Sequence, residues 1–138
     1  MNKYFNRNND QFTKSLNGIF VDKSDALDLI NNIVDSNSQF ICVTRPRRFG
    51  KSMMASMINA YYSKGCDSKA LFDNLNISKA SSYPKHLNKR NVIWLDMQYE
   101  LDRYHGNITD TPTAKARWVL IYIHFQIYSK AYKTNEIL

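Results

Sequence analysis

Residues 1–17 are rich in Asn, Lys and Gln and carry no apolar pattern, so they read as a flexible leader. Apolar content resumes at Gly18-Ile19-Phe20-Val21. Ser24 is placed to cap a helix whose first turn holds Asp25 and Asp28, acids that suit the positive end of a helix dipole. Leu27, Ile30, Ile33 and Val34 then recur at helical spacing until Ser36-Asn37-Ser38 ends the run. Gln39–Thr44 (QFICVT) is compact, β-branched and aromatic, the length of a buried strand, and Pro46 stops it. From Lys51 on, Met53, Met54, Met57, Ile58, Tyr61 and Tyr62 fall on one helical face, which the Lys64-Gly65 step closes. These methionines and tyrosines read as core packing. Ala70–Leu75 predicts a short helical segment, and Asn91–Met97 (NVIWLDM) a second strand closing on Asp96. Thr111-Pro112 is a helix start, with Thr capping and Pro in the first position. Farther on, Val119, Ile121, Ile123, Phe125 and Ile127 alternate as a strand would; the segment is nonetheless assigned as helix. The element order predicts an α/β fold.

The chain has 138 residues, enough for one domain with one core. Its 43% hydrophobic and 22% charged residues are a globular balance. The longest apolar stretch, Trp118–Ile123, is too short to span a bilayer, and the N-terminus lacks the apolar core of a signal peptide. The chain therefore reads as cytoplasmic, with no membrane partner. Cys42 and Cys66 suggest neither a zinc site nor a disulfide framework; Cys42, inside an apolar run, reads as a buried thiol. His86, His105 and His124 are scattered, with no metal-ligand spacing around them. The net charge of +7 is partly local: Arg45, Arg47, Arg48 and Lys51 form one basic cluster, and Lys85 to Arg90 a second.

The first cluster lies where chemistry is expected. A phosphate-binding loop of the pattern G-x-x-x-x-G-K-[ST] joins a strand to a helix, and its second half stands here as Gly50-Lys51-Ser52. Successive loop amides turn inward to make an anion nest. Gly50 permits close backbone approach to phosphate, Lys51 offers an ammonium to the β- and γ-phosphates, and Ser52 offers a hydroxyl to Mg²⁺. The helix that starts there adds its dipole and its amides. Arg45 occupies the place of the opening glycine.

Thr44–Ser52, reading TRPRRFGKS, resembles the phosphate-binding loop of the AAA-ATPase-like family, in which Arg-Pro-Arg-Arg-Phe replaces the opening glycine. Phe20–Ser24 (FVDKS) resembles the family's element ahead of its first helix. Ala60-Tyr61-Tyr62 with Leu71–Ile77, and Tyr83-Pro84 with Val92–Asp96, resemble its later segments. The resemblance covers 18–98 and implies a partial P-loop NTPase core, a short parallel sheet with flanking helices, that binds ATP and Mg²⁺. It implies a cradle of Arg47, Arg48, Phe49 and Gly50, with Lys51 on phosphate and Ser52 on the metal. On this division 1–17 is the leader, 18–98 the N-terminal part of the P-loop domain, and 99–138 a divergent or truncated segment, mostly helical.

Hydrolysis needs an acid for the metal's water shell and a residue to orient the attacking water. Asp96 ends a strand, but Met97 follows it where such ATPases carry glutamate. The resemblance places the Asp-Glu pair on a later strand, so no catalytic residue is assigned and the isolated chain is expected to turn over little ATP. Two or three strands also leave open edges, which invites a homo-oligomer or a partner chain that completes the site. One alternative is a nucleic-acid-binding or protein-interaction module using Arg45, Arg47, Arg48, Lys85, Lys89 and Arg90 without nucleotide chemistry. Another is a non-functional remnant.

Overall fold

The computed structural model describes residues 6–44, 46, 48–96 and 119–123. Helices run from Asp10–Leu16 (α1), Asp25–Ile33 (α2), Lys51–Tyr62 (α3), Lys69–Phe72 (α4) and Tyr83–His86 (α5), with a 3-10 turn at Asn76–Lys79. Val92–Asp96 (β1) and Val119–Ile123 (β2) pair antiparallel, with Val92 opposite Ile123 and Asp96 opposite Val119. The architecture is thus mixed α and β.

The predicted leader contains a helix. α1 carries Asp10 in its first turn and Lys14 in its last, each matched to the dipole there. Its Phe12 is fully buried, stacked on Phe72 at 5.0 Å between ring centroids and edge-on to Phe20 at 5.8 Å. Burying one such ring contributes about 1.5–3 kcal/mol, enough to hold a seven-residue helix that would not form alone.

α2 forms as its periodicity predicts, with Leu27 and Ile30 buried and Val34 just beyond them. Ser24 does occupy its N-cap position, but its hydroxyl caps nothing there and instead accepts the Ile77 amide at 3.1 Å. Asp22 binds the same two segments together. Its carboxylate accepts the amides of Ser24 and Asn76, both at 2.8 Å.

α3 is the central helix. Met57, Ile58, Tyr61 and Tyr62 are buried as expected, and Met53 and Met54 are half-buried. Its polar positions are buried too, because the chain ahead of α1 lies along them: Asn59 Nδ2 donates to the carbonyls of Arg7 (3.2 Å) and Asn8 (3.1 Å). This same N-terminal chain meets the other edge of β1 at Val92. The Asn6 amide donates to Val92 O at 2.8 Å, and the Val92 amide to Asn6 Oδ1 at 2.7 Å.

Two further element assignments fail. Gln39–Thr44 forms no strand: Phe40 is 81%, Ile41 45% and Val43 40% exposed, and Cys42 is exposed, not buried. A strand exists only with a partner edge. β1 gives one edge to β2 and meets Asn6 at Val92 on the other, and no parallel sheet occurs among the described residues. The second failure is at 119–123, assigned above as helix but folded as β2. There the two-residue alternation decided the outcome over helix propensity. The predicted helix start at Thr111-Pro112 lies outside the described residues.

Candidate phosphate-binding loop

The chain enters α3 through two left-handed residues. Arg48 has φ 67° and Gly50 φ 78°, with Phe49 between them. Gly50 is the N-cap residue, and having no side chain it caps none of the first-turn amides of a twelve-residue helix. Such alternation turns successive amides toward one side, which is how backbone alone makes an anion-binding concavity. A left-handed arginine stores about 1 kcal/mol of strain that a glycine would not. No atom outside its chain neighbours lies within 4 Å of where a Gly50 Cβ would stand, so the glycine serves the backbone angle and the open approach to the loop.

Lys51 opens α3, and its ammonium folds back to donate to the Pro46 carbonyl at 2.9 Å. Ser52 follows in the first turn, exposed. Arg48 is exposed as well, and Phe49 presents an apolar ring, 58% exposed, beside these cations. The structure therefore brings Arg48, Phe49, Gly50, Lys51 and Ser52 into one contiguous loop at a helix start. Arg47 and Arg45 lie outside the described residues. The donor set of backbone amides, a lysine ammonium and a guanidinium is one that could hold a phosphate chain, and the serine hydroxyl is an oxygen that could ligate Mg²⁺.

Asp96, the strand-end acid, is half-buried at the close of β1 opposite Val119. Among the described residues no three His, Cys, Asp or Glu side chains group as a metal site. The second basic cluster divides. Lys85 and Lys89 are exposed, but Arg90 makes a bidentate ion pair with Asp35, at 2.8 and 2.6 Å, and so serves the fold. Its hydrogen bonds hold the Asp35 carboxyl below its usual range, with burial opposing. No described helix is long and apolar enough to cross a membrane.

Sequence reasoning gave no role to Asp22, which ties the start of α2 to the 3-10 turn, and none to the chain at 6–9, which holds the helix that carries the loop. The FVDKS element contained Asp22, but nothing in its spacing pointed to Asn76 as its partner.

A Gly-Lys-Ser step at the start of a helix is the arrangement that phosphate-binding loops use. A family model described as a predicted AAA-ATPase matches residues 4–133, and the chain belongs to this AAA-ATPase-like family. The match runs beyond 18–98, taking in α1 and β2. No curated protein and no solved structure matches the chain.

Proposed function

We propose that the chain binds Mg-ATP through Arg47, Arg48, Phe49, Gly50, Lys51 and Ser52, and alone hydrolyses it weakly. The carrying observation is the pair of left-handed residues, Arg48 and Gly50, immediately before Lys51 at the start of α3. In this reading Lys51 leaves the Pro46 carbonyl for the phosphates, Ser52 is the metal's protein ligand, and the arginines offset the phosphate charge. The missing acid and a water-orienting residue come from a partner chain or a second copy. The same reading carries a partial P-loop core with a parallel sheet, and the exposure of Phe40, Ile41 and Val43 supports an added neighbour that buries them. Localisation is proposed as cytoplasmic.

The test is calorimetry with Mg-ATP on the wild type and Lys51→Ala, both confirmed folded by circular dichroism. Saturable binding in the wild type, weakened at least about a hundredfold in the variant, is the expected result for losing a charge-assisted phosphate contact. A folded wild type that does not bind overturns the proposal. Affinity that falls steeply with salt for nucleic acid and ignores Lys51→Ala would put the basic module in its place.

A further inference from the structure

Residues 86–90 finish α3. The last four carbonyls of that helix all find donors: Asn59 O the Ser63 amide (3.0 Å), Ala60 O the Asn88 side-chain amide (2.9 Å), Tyr61 O the Asn88 backbone amide (2.7 Å) and Tyr62 O the Arg90 amide (2.9 Å). Asn88 accepts a left-handed φ of 54° to do this, a conformation asparagine tolerates better than most residues. An α-helix otherwise leaves these carbonyls to solvent. Three of the four partners come from one short segment, so what holds that segment also holds the helix end.

Arg90 is the segment's anchor. Its guanidinium grips Asp35 with two hydrogen bonds, and Nη2 also lies 3.1 Å from His86 Nδ1. A guanidinium only donates, so Nδ1 accepts and the neutral imidazole carries its proton on Nε2. His86 is 8% exposed. The groups facing it are Asp35 from beyond α2, Arg90 from ahead of β1, Lys85 from its own helix, and the ring of Tyr62 from α3, edge-on at 6.4 Å.

We propose that His86 is an acid-sensitive latch on the segment that caps α3: neutral, it accepts from Arg90 and keeps that residue against Asp35, and protonated, it confronts the guanidinium with a second donor and a second positive charge. The proton comes from solvent and goes to Nδ1. Burial, then the Arg90 charge, hold the imidazole below its usual 6.5, with Asp35 opposing and Lys85 assisting. A histidine depressed in the folded state binds its proton more readily when unfolded. Its contribution is therefore present above 6.5 and is lost as pH falls through the folded value. The latch needs no nucleotide and stands apart from the ATP reading.

The experiment follows the His86 ring of the full chain by NMR from about pH 7.5 to 5, with amide-exchange protection of Asn88 and Arg90 measured over the same range. The expected result is a His86 midpoint below 6.5 and protection factors at both amides that fall at least about fivefold along the same titration. In His86→Gln, whose side-chain oxygen can accept from Arg90 without titrating, protection should be flat with pH. A midpoint at or above 6.5, protection that ignores the titration, or the same loss in a folded His86→Gln would each overturn the proposal. Should the variant fail to fold, the wild-type titration alone still decides.

Discussion

Asn31 is a buried polar residue in the middle of α2, and every hydrogen it offers is used. Nδ2 donates to Tyr61 Oη at 3.0 Å and to Ser82 Oγ at 2.9 Å, and Oδ1 accepts the Tyr62 hydroxyl at 2.6 Å. The hydroxyls pass the pattern outward, Tyr61 to the Tyr83 carbonyl at 3.3 Å and Ser82 to Asp28 Oδ1 at 2.6 Å. Replacing Asn31 with Leu keeps the size and removes the network. The Tyr62 hydroxyl, fully buried, then keeps its proton without an acceptor, which costs about 1–3 kcal/mol. Tyr61 and Ser82 still donate elsewhere, so each loses only a bond accepted, about 0.5–1 kcal/mol. Leucine returns about 0.5 kcal/mol of helix propensity. The balance is a destabilisation of about 1.5–4.5 kcal/mol, read as a lowered urea midpoint at unchanged slope. Because the largest part is the stranded Tyr62 hydroxyl, adding Tyr62→Phe should restore about 1 kcal/mol or more, although Tyr62→Phe is itself destabilising in the wild type. Urea titrations of all four proteins close the double-mutant cycle. An Asn31→Leu change within about 0.5 kcal/mol of wild type, or strictly additive mutations, would refute the assignment of the network as a unit.

Two further perturbations separate the loop from the scaffold. Arg48→Gly relieves a left-handed arginine and, after glycine's extra unfolded-state entropy, should leave stability unchanged or raise it by up to about 0.5 kcal/mol in urea while weakening Mg-ATP binding; a loss of stability would contradict the backbone reading. Burial alone would raise the Asp22 carboxyl, but the Asn76 and Ser24 hydrogen bonds outweigh it and hold the group below its usual 3.8, so its contribution is complete above that value and is lost as pH falls through the folded one. Asp22→Asn should therefore flatten the acid limb of the stability curve below pH 3.8, and an unchanged limb would remove Asp22 from the account.

What the sequence carried well was local. The 3.6-residue period of Leu27, Ile30 and Val34 marked α2, and Met57, Ile58, Tyr61 and Tyr62 marked α3, though Ala55 to Tyr62 is buried throughout, because a helical period is carried by near neighbours in the chain. The loop was legible for the same reason: a glycine that must sit at positive φ, followed by Lys51 and Ser52 at a helix start, is written in adjacent residues. Phe12 was not legible, since the ring it stacks on, Phe72, lies sixty positions away from the Asn-rich stretch that folds around it. Gln39–Thr44 shows the limit from the other side. Its composition is that of a strand, yet β pairing is a property of two segments, and β1 already has β2 along one edge and Asn6 at Val92. Arg90, grouped along the chain with Lys85 and Lys89 as one basic cluster, shows the same limit: Asp35, fifty-five positions earlier, takes the guanidinium into the structure. Each miss involves a partner distant in sequence. The residues that hold α3 in place (Arg7, Asn8, Asn88 and Arg90) are therefore the ones whose function a pattern along the chain does not announce, and they couple the loop-bearing helix to the rest of the fold.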